Sequence, residues 1–354
     1  MKRFISVSTV MVLLIACITQ SEATPESRAA VLFLLAKPST RSTGMGEAYV
    51  AVYDTLAPDA ASAHYNPAMI AGQTRRNLSF THTKWLPALA NDMSYNFVGY
   101  TQPTEAFGGN VGLVIPYLNM GEQFRTDEHG NTLGTFSSYD FALAAIYGGQ
   151  ISKNMLAGIS MKVIRSNLSS VGAGIEKGKG IGTSFAVDVG FLYHITRKLN
   201  FGLSLRNMGP EIAYIDASQA DPLPQNLMFG VAYKVLESQY NDLLLALDLY
   251  KPLITDSTFL KSLLTAWGDD ALADEIKEMD LHVGGEYQYG LSRTPGGAFI
   301  ALRAGYSMDR DGELNTPTFG FGLKYSLIQI DVAYISGGDT PQQDSTRFSM
   351  NLNF

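Results

Sequence analysis

The chain ends in TRFSMNLNF (346–354), in which side chains of two kinds alternate without a break. Large apolar residues fall on one face of an extended chain and polar residues on the other: Phe348, Met350, Leu352 and Phe354 against Arg347, Ser349, Asn351 and Asn353. A period of two residues indicates a β-strand whose two faces have different surroundings. The ending therefore predicts a strand with one apolar and one polar side.

The same alternation recurs through most of the chain, for example in LIQIDVAY (327–334), DLLLALDLY (242–250) and NFGLSLRN (200–207). It predicts fourteen strands, at about residues 76–84, 93–101, 106–118, 137–148, 154–166, 182–194, 199–207, 225–235, 242–250, 280–289, 298–307, 316–325, 327–335 and 345–354. The connections after even-numbered strands are short, and most of those after odd-numbered strands are long. This pattern is typical of outer-membrane barrels with both termini in the periplasm.

Soluble β-sandwiches also alternate, but two features favour a membrane barrel. The predicted strands exceed the roughly five or six residues usual in soluble sheets and reach the roughly nine to eleven that a tilted membrane strand needs. Tyrosines recur near the predicted strand ends, as in the aromatic girdles of such barrels: Tyr147, Tyr193, Tyr233, Tyr250, Tyr289, Tyr306, Tyr325 and Tyr334. We predict an all-β fold, a fourteen-stranded antiparallel transmembrane β-barrel over residues 76–354 that contacts outer-membrane lipid.

Residues 1–23 have the features of a secretory signal peptide. A basic start precedes the apolar run from Val10 to Ala16, and small residues precede a cleavage site after Ala23. Cys17, the sole cysteine, also fits a lipoprotein cleavage box, so processing at Cys17 is the alternative. No later apolar run reaches the roughly 18 residues of a membrane helix. We expect an exported protein that resides in the outer membrane of a Gram-negative cell.

Residues 24–75 precede the first predicted strand and are rich in small side chains. Gly44 and Gly46 permit close approach of the backbone to its surroundings. In the run Asn66, Pro67, Ala68, the asparagine can bond to the neighbouring backbone and the proline fixes a turn. We predict that residues 24–75 form a plug in the barrel lumen and that this run seats it.

An insertion at residues 251–279 interrupts the succession of strands. Phe259, Leu263 and Trp267 recur there at helical spacing and are followed by an acidic run. An exposed apolar stripe is either buried on neighbouring loops or used for binding. We predict a helical extracellular loop that either caps the barrel or docks a partner protein.

Charged residues on the polar faces of the strands have two interpretations, an ion-pair network or a selective pathway. Buried charges need partners, which favours the network. Its expected members are Arg206, Arg303 and Arg347 with Asp188, Asp248, Glu286 and Asp331.

No pattern of residues indicates catalysis, a cofactor or a metal. GAGIEKGKGIG (172–182) lacks the Lys-Ser/Thr pair of a phosphate loop, and DRDGE (309–313) has too few acidic positions for a calcium loop. The five histidines show no ligand spacing, and a net charge of −7 without a basic stripe argues against nucleic-acid binding. We expect a non-enzymatic protein without catalytic, cofactor-binding or metal-binding residues.

Four stretches resemble the PorV/PorQ family, within the FadL-like outer-membrane barrels. They are STGMGEAYVAV (42–52) with DAASAHYNPA (59–68), the stretch 205–233 with its Pro-Leu-Pro turn, the insertion within 263–289, and the ending 328–354. The insertion is similar to that of the PorV branch, although DDALADE (269–275) departs from its longer Gly-Gly-Phe turn. The terminal Phe354 resembles the signal that the outer-membrane barrel-insertion machinery reads.

The resemblance implies a component of type IX protein secretion. Such a barrel would bind the C-terminal domain of a cargo protein at its outer loops and pass it from the translocon to the surface attachment machinery. The alternative is a FadL-like transporter of long-chain fatty acids or other hydrophobic small molecules. An apolar cavity between plug and wall would favour the transporter, and the long segment before the first strand disfavours a simple porin.

Overall fold

The computed structural model describes residues 28–54, 58–87, 89–104, 108–127, 129–170, 179–255, 261–262, 265–267, 278–290, 297–309, 314–337 and 345–354. The predicted signal peptide lies outside these residues, as do Phe259 and Leu263.

Fourteen antiparallel strands form one closed barrel. Each strand pairs with its neighbours in chain order, and the first pairs with the last. The strands are β1 Asn77–Lys84, β2 Ser94–Thr104, β3 Gly109–Thr126, β4 Thr132–Ser152, β5 Met155–Ser169, β6 Gly180–His194, β7 Leu199–Met208, β8 Asn226–Glu237, β9 Asn241–Pro252, β10 Asp280–Gly290, β11 Phe299–Asp309, β12 Leu314–Tyr325, β13 Ile328–Ile335 and β14 Ser345–Asn353. The prediction of an all-β, fourteen-stranded antiparallel barrel is confirmed.

The two faces of each strand differ as the alternation predicts. In β14 the side chains of Phe348 and Met350 are exposed on the outer surface, and those of Ser349 and Asn351 are buried. The β1–β14 ladder that closes the barrel runs in register from Asn77↔Asn353 to Thr83↔Arg347. The apolar face of the sheet therefore points outwards, and the polar face points into the lumen.

The connections divide the barrel into two ends. We call the turn end the one that carries the connections after even-numbered strands, such as residues 153–154 and 195–198. We call the loop end the opposite one, with the connections 209–225 and 253–279.

The connection between β3 and β4 is much shorter than the sequence predicts. Regular pairing extends to Thr126↔Thr132, which leaves only residues 127–131 as a loop. Up to about residue 118 the outward side chains of β3 are mostly apolar, but further along the strand they include Glu122. The apolar alternation therefore stops before the strand ends. Pairing with a neighbouring strand, rather than contact with lipid, forms this part of the hairpin.

The prediction that Tyr250 belongs to an aromatic girdle is wrong. Its side chain is only 5% exposed and faces the lumen. Tyr250 shares the parity of Asp248 in β9, which also points inwards. Tyr193, Tyr233 and Tyr289 lie on the outer surface as expected.

Residues 28–54 and 58–75 contact inward-facing groups of several strands, for example Glu286, Asp248 and Arg347, and we call them the luminal segment. They form a 3-10 turn at Leu32–Leu35, helices α1 Thr40–Thr43 and α2 Ser62–Tyr65, and a 3-10 turn at Pro67–Ile70. Most of their side chains from Phe33 to Val52 are buried. In the described part of the chain, no helix has the length and hydropathy needed to cross a membrane.

The C-terminal residue yields a first prediction. Phe354 is 50% exposed beside the apolar outer face, and its backbone N–H and C=O both bond to Arg76, at 3.0 Å each. Changing Phe354 to Ala keeps these backbone bonds and removes the aromatic ring. We expect lower outer-membrane levels in fractionated cells, because the insertion machinery loses its signal. Changing Phe354 to Tyr should preserve the level, and normal insertion of the Ala variant would contradict the proposed signal.

Candidate functional site

A chain of buried charges joins the luminal segment to the barrel wall. Arg41, in α1, donates to both carboxylate oxygens of Glu286 in β10, at 2.9 Å from Nε and 2.6 Å from Nη2. Arg303 in β11 donates to Glu286 at 2.6 Å and to Asp331 in β13 at 2.7 Å. Arg41 also lies 3.1 Å from a carboxylate oxygen of Asp54. We call these five residues the charge chain; positive and negative groups alternate along it.

The sequence around Arg41 is built for close contact with the wall. Ser39 caps α1 by accepting a hydrogen bond from the Ser42 N–H. A Cβ added to Gly44 would lie 2.9 Å from the Gly320 Cα. Gly46 has φ +63°, and a Cβ there would collide with the Tyr306 backbone. The expected role of Gly44 and Gly46 in close approach is therefore observed.

The predicted motif Asn66, Pro67, Ala68 lies against β5 and β6. The Asn66 side chain accepts from the Ala68 N–H at 3.0 Å and donates to the carbonyls of Val50 and Phe191, at 2.9 and 3.0 Å. Pro67 starts the second 3-10 turn. Any Cβ at Gly158 or Gly190 would collide with these residues. Asn66 thus fastens two parts of the luminal segment to one strand of the wall.

A second carboxylate of the wall holds the backbone of the luminal segment. Asp248 in β9 accepts hydrogen bonds from the N–H groups of Tyr49 and Val50, at 2.5 and 2.7 Å. The two amides share one carboxyl oxygen of the wall, which fixes the backbone at Tyr49 and Val50 against β9. Asp248 was expected to pair with an arginine, and its observed partners are backbone amides.

The partners predicted for Arg206 are also wrong. Its guanidinium donates to the Leu34 carbonyl at 3.1 Å and to His64 Nε2 at 2.7 Å. Burial, and secondly the charge of Arg206, lower the pKa of His64 well below its usual value. His64 is therefore neutral and can accept this bond. The wall provides the cation here, and the luminal segment provides the acceptors.

Other lumen charges also have partners that the sequence does not indicate. Arg347 bonds to the Lys37 carbonyl and the Thr43 hydroxyl and lies 3.4 Å from Glu47. Lys162 forms a 2.8 Å ion pair with Asp188. The roles of Arg41, Glu47 and Lys162 were missed, because partners distant in sequence leave no periodic signal.

Lys37 explains why a tyrosine lies inside the barrel. Its Nζ lies 5.8 Å from the ring centroid of Tyr65 and 5.4 Å from that of Tyr250. Burial lowers the pKa of Lys37 to about 8. Aromatic faces attract a cation that has lost its water, so Tyr250 supports a buried charge of the luminal segment.

The turn end contains a cavity of about 630 Å³ between the luminal segment and the wall. Most of the residues that line it are polar or charged, including Arg41, Asp54, Lys153, His194, Arg197, Lys234, Glu237, Asp242 and Gln288. A hydrophobic ligand needs a predominantly apolar pocket. This cavity lacks the continuous leucine, phenylalanine and methionine lining that would favour transport of such a ligand.

Towards the loop end the lumen is apolar and filled. Val31, Phe33 and Leu34 of the luminal segment pack in one buried cluster with side chains of the wall and of the 209–225 connection. The wall side chains include Tyr95, Phe97, Leu118 and Ile164, and those of the connection are Ile212 and Leu223. The 3-10 turn Leu32–Leu35 thus occupies the apolar part of the lumen.

The predicted partner-binding loop is described only in part. Lys261, Ser262 and Thr265 are helical, and Ser262 and Ala266 are buried. Trp267 is 46% exposed, and Lys251 Nζ lies 5.9 Å from its ring centroid. The same amine forms a 2.6 Å ion pair with Glu278. The amphipathic helix expected within residues 251–279 stays a prediction, because Phe259 and Leu263 lie outside the described residues.

Comparison with known proteins identifies the type of barrel. A family model described as type IX secretion system protein PorV matches residues 20–258. The toluene transporter TodX of Pseudomonas putida has a similar structure, with a TM-score of 0.50 and 12% identity over 88% of this chain and 95% of its own. A FadL homologue of Pseudomonas aeruginosa has a TM-score of 0.52 and 9% identity over 90% and 98%. At these identities the structural likeness shows the fold alone, and no curated protein sequence matches the chain.

The Asn66 contacts yield a second prediction. Changing Asn66 and Pro67 together to Ala removes the side-chain bonds to two carbonyls and the fixed φ of the turn. We expect single-channel conductance in planar bilayers to rise, because the luminal segment loosens. Ala substitutions at Asn315 and Pro317, half-exposed or exposed in β12, are the matched control. An unchanged, silent barrel would show that the motif does not seat the segment.

The charge chain yields a third prediction. Changing Glu286 to Gln removes the carboxylate that lies between the buried side chains of Arg41 and Arg303. Removing one partner of a buried ion pair lowers the free energy of unfolding by about 3–5 kcal/mol. We expect a lower temperature for the heat-induced gel-mobility shift that reports barrel unfolding. The control Glu122→Gln, at an exposed position of β3, should leave that temperature unchanged. Equal heat stability of the Glu286 variant would mean that the charge chain does not stabilise the barrel.

Proposed function

The chain belongs to the family of type IX secretion system protein PorV, and from this premise we propose that it is a non-enzymatic shuttle for secreted proteins. It binds the C-terminal domain of a cargo protein at its loop end. It then carries the cargo from the translocon to the surface attachment machinery. The family match is the observation that carries this proposal.

The filled lumen supports a role at the surface of the barrel. The charge chain, Asp248 and Asn66 fasten the luminal segment to the wall at several separate points. The luminal segment acts as a plug, so no protein chain passes through the barrel. The parts of the barrel that extend beyond the membrane then make the contact with cargo.

The topology supports the orientation that this role needs. Short connections lie at the turn end, which faces the periplasm in outer-membrane barrels. The loop end then faces the cell exterior and presents residues 209–225 and 253–279. Export by the N-terminal signal peptide and insertion by the machinery that reads Phe354 place the protein there.

The exposed ring of Trp267 supports the 253–279 connection as a contact surface. Lys251 and Glu278 fix the two ends of this connection to each other at the barrel rim. Trp267 stands beside this ion pair, and tryptophan is among the residues that contribute most to binding at protein interfaces. Phe259 and Leu263 complete the stripe if the helix extends as the spacing predicts.

One observation favours a second candidate, transport of a hydrophobic small molecule. The wall behind Val31, Phe33 and Leu34 is apolar, although the polar faces of membrane strands usually line such a lumen. Release of the 3-10 turn Leu32–Leu35 would uncover an apolar pocket. Uptake of long-chain fatty acids by cells that carry the protein tests this candidate.

The apolar stripe yields a fourth prediction. Changing Phe259, Leu263 and Trp267 together to Ser should give an inserted, heat-stable barrel that no longer co-purifies with cargo or translocon. The control Tyr240→Ser alters an exposed aromatic at the turn end and should retain both partners. A fall in heat stability with partners retained would assign the stripe a capping role. Altered fatty-acid uptake with partners retained would support the transporter.

A further inference from the structure

Three cations surround the mouth of the cavity at the turn end. Lys153 lies in the connection between β4 and β5, Arg197 in that between β6 and β7, and Lys234 on β8. All three line the cavity, and Lys153 and Arg197 are exposed. Within the part of the chain that the structure describes, none of the three forms an ion pair. Their charge is therefore available to a ligand.

Backbone hydrogen bonds hold these cations on adjacent parts of the rim. The His194 N–H donates to the Asn154 carbonyl at 2.8 Å, which joins the β4–β5 turn to the end of β6. The Lys234 N–H donates to the Lys198 carbonyl at 2.8 Å, which joins β8 to the β6–β7 turn. The positive groups thus lie side by side around one mouth.

The carboxylates in the lining of the cavity already have partners. Glu286 and Asp54 both pair with Arg41, at 2.6 and 3.1 Å. Glu237 and Asp242 also interact with other groups of the protein. The charge that stays uncompensated at this cavity is therefore positive, and a site with uncompensated positive charge attracts an anion.

The size and depth of the cavity fit a small molecule. Its volume of about 630 Å³ lies within the roughly 300–1,000 Å³ of small-molecule sites. Arg41, Tyr53 and Asp54 of the luminal segment line it together with the wall. The luminal segment therefore forms one side of the cavity, and a bound molecule would lie between the segment and the wall.

The charge of the connections differs between the two ends of the barrel. Those at the turn end contain four basic residues and one acidic residue: Lys153, Arg197, Lys198 and Arg293, against Glu105. Those at the loop end contain seventeen acidic and five basic residues. Such a distribution attracts anions to the turn end and repels them from the loop end. An anion therefore approaches the cavity from the side that faces the periplasm in outer-membrane barrels.

We propose that the turn-end cavity is a binding site for a small soluble polyanion, a molecule with two or more phosphate or carboxylate groups. Lys153, Arg197 and Lys234 bind its anionic groups at the mouth. The molecule contacts the wall and the luminal segment together, so it stabilises the folded barrel with the segment in place. The proposal is independent of cargo binding, because it concerns the opposite end of the barrel.

A titration of the full-length barrel in detergent tests the site. The probes are pyrophosphate and citrate, and isothermal calorimetry at low ionic strength measures their affinity. Arg197→Gln and Lys234→Gln should each weaken binding about tenfold or more, because each removes a charged hydrogen-bond donor. The control Lys198→Gln removes the same charge from an exposed side chain that does not line the cavity, and should leave affinity within about twofold.

The heat-induced gel-mobility shift gives a second measurement. Saturating probe should raise the temperature of that shift for the unaltered barrel and for Lys198→Gln, and not for Arg197→Gln. The same assay without probe shows that each variant is folded. Lys153→Gln, at an exposed turn position, replaces Lys234→Gln if that variant does not insert.

Three results would overturn the proposal. The first is that neither probe binds the unaltered barrel. The second is that Lys198→Gln weakens binding as much as Arg197→Gln, because the rim then attracts anions without a defined site. The third is displacement of pyrophosphate when phosphatidylglycerol is added to nanodiscs of zwitterionic lipid that hold the barrel. In that case the cations bind the headgroups of the surrounding membrane instead of a soluble molecule.

Discussion

Closure of the sheet between its first and last strands is the constraint on which the rest of the structure depends. Inside a bilayer no water bonds to exposed N–H and C=O groups, and each unbonded group costs several kcal/mol. The ladder from Asn77↔Asn353 to Thr83↔Arg347 removes the two edges that an open sheet would expose to lipid. The pair of backbone bonds between Arg76 and Phe354 extends this seam to the last residue of the chain.

A closed sheet has an inner face whose polar side chains need partners. The luminal segment provides many of them, and the wall does the same for the segment. Glu286 lies between Arg41 of the segment and Arg303 of the wall. Asp248 of the wall accepts the Tyr49 and Val50 amides. A buried charge without a partner destabilises the folded protein. The luminal segment and the inner face of the wall therefore stabilise each other.

The lumen differs between its two ends, and this difference bears on function. The cavity at the turn end is lined mainly by polar and charged side chains. Towards the loop end, Phe33 and Leu34 fill an apolar space against the wall. A barrel filled in this way has its outer surfaces available for contact. One of those surfaces is the 253–279 connection, which presents the exposed ring of Trp267.

The sequence by itself determined the number of strands, their order and, within the regular part of each strand, the face that most side chains occupy. A period of two residues is a local property, so the sequence shows it wherever successive side chains of a strand face lipid and lumen in turn. The same period places Tyr250 on the face of Asp248, in the lumen, and so conflicts with the girdle prediction, which rested only on its position near a strand end. The run Asn66, Pro67, Ala68 was recognisable because its bonding and its turn are local.

Only the tertiary structure decided which lumen groups meet. Arg206 bonds to Leu34 and His64, and Asp248 bonds to backbone amides, and no periodic pattern encodes contacts between such distant positions. The extension of β3 and β4 beyond about residue 118 was missed for a related reason: beyond the membrane no lipid selects apolar outward residues, so a strand there leaves no alternation. Pairing between the two strands forms this extension.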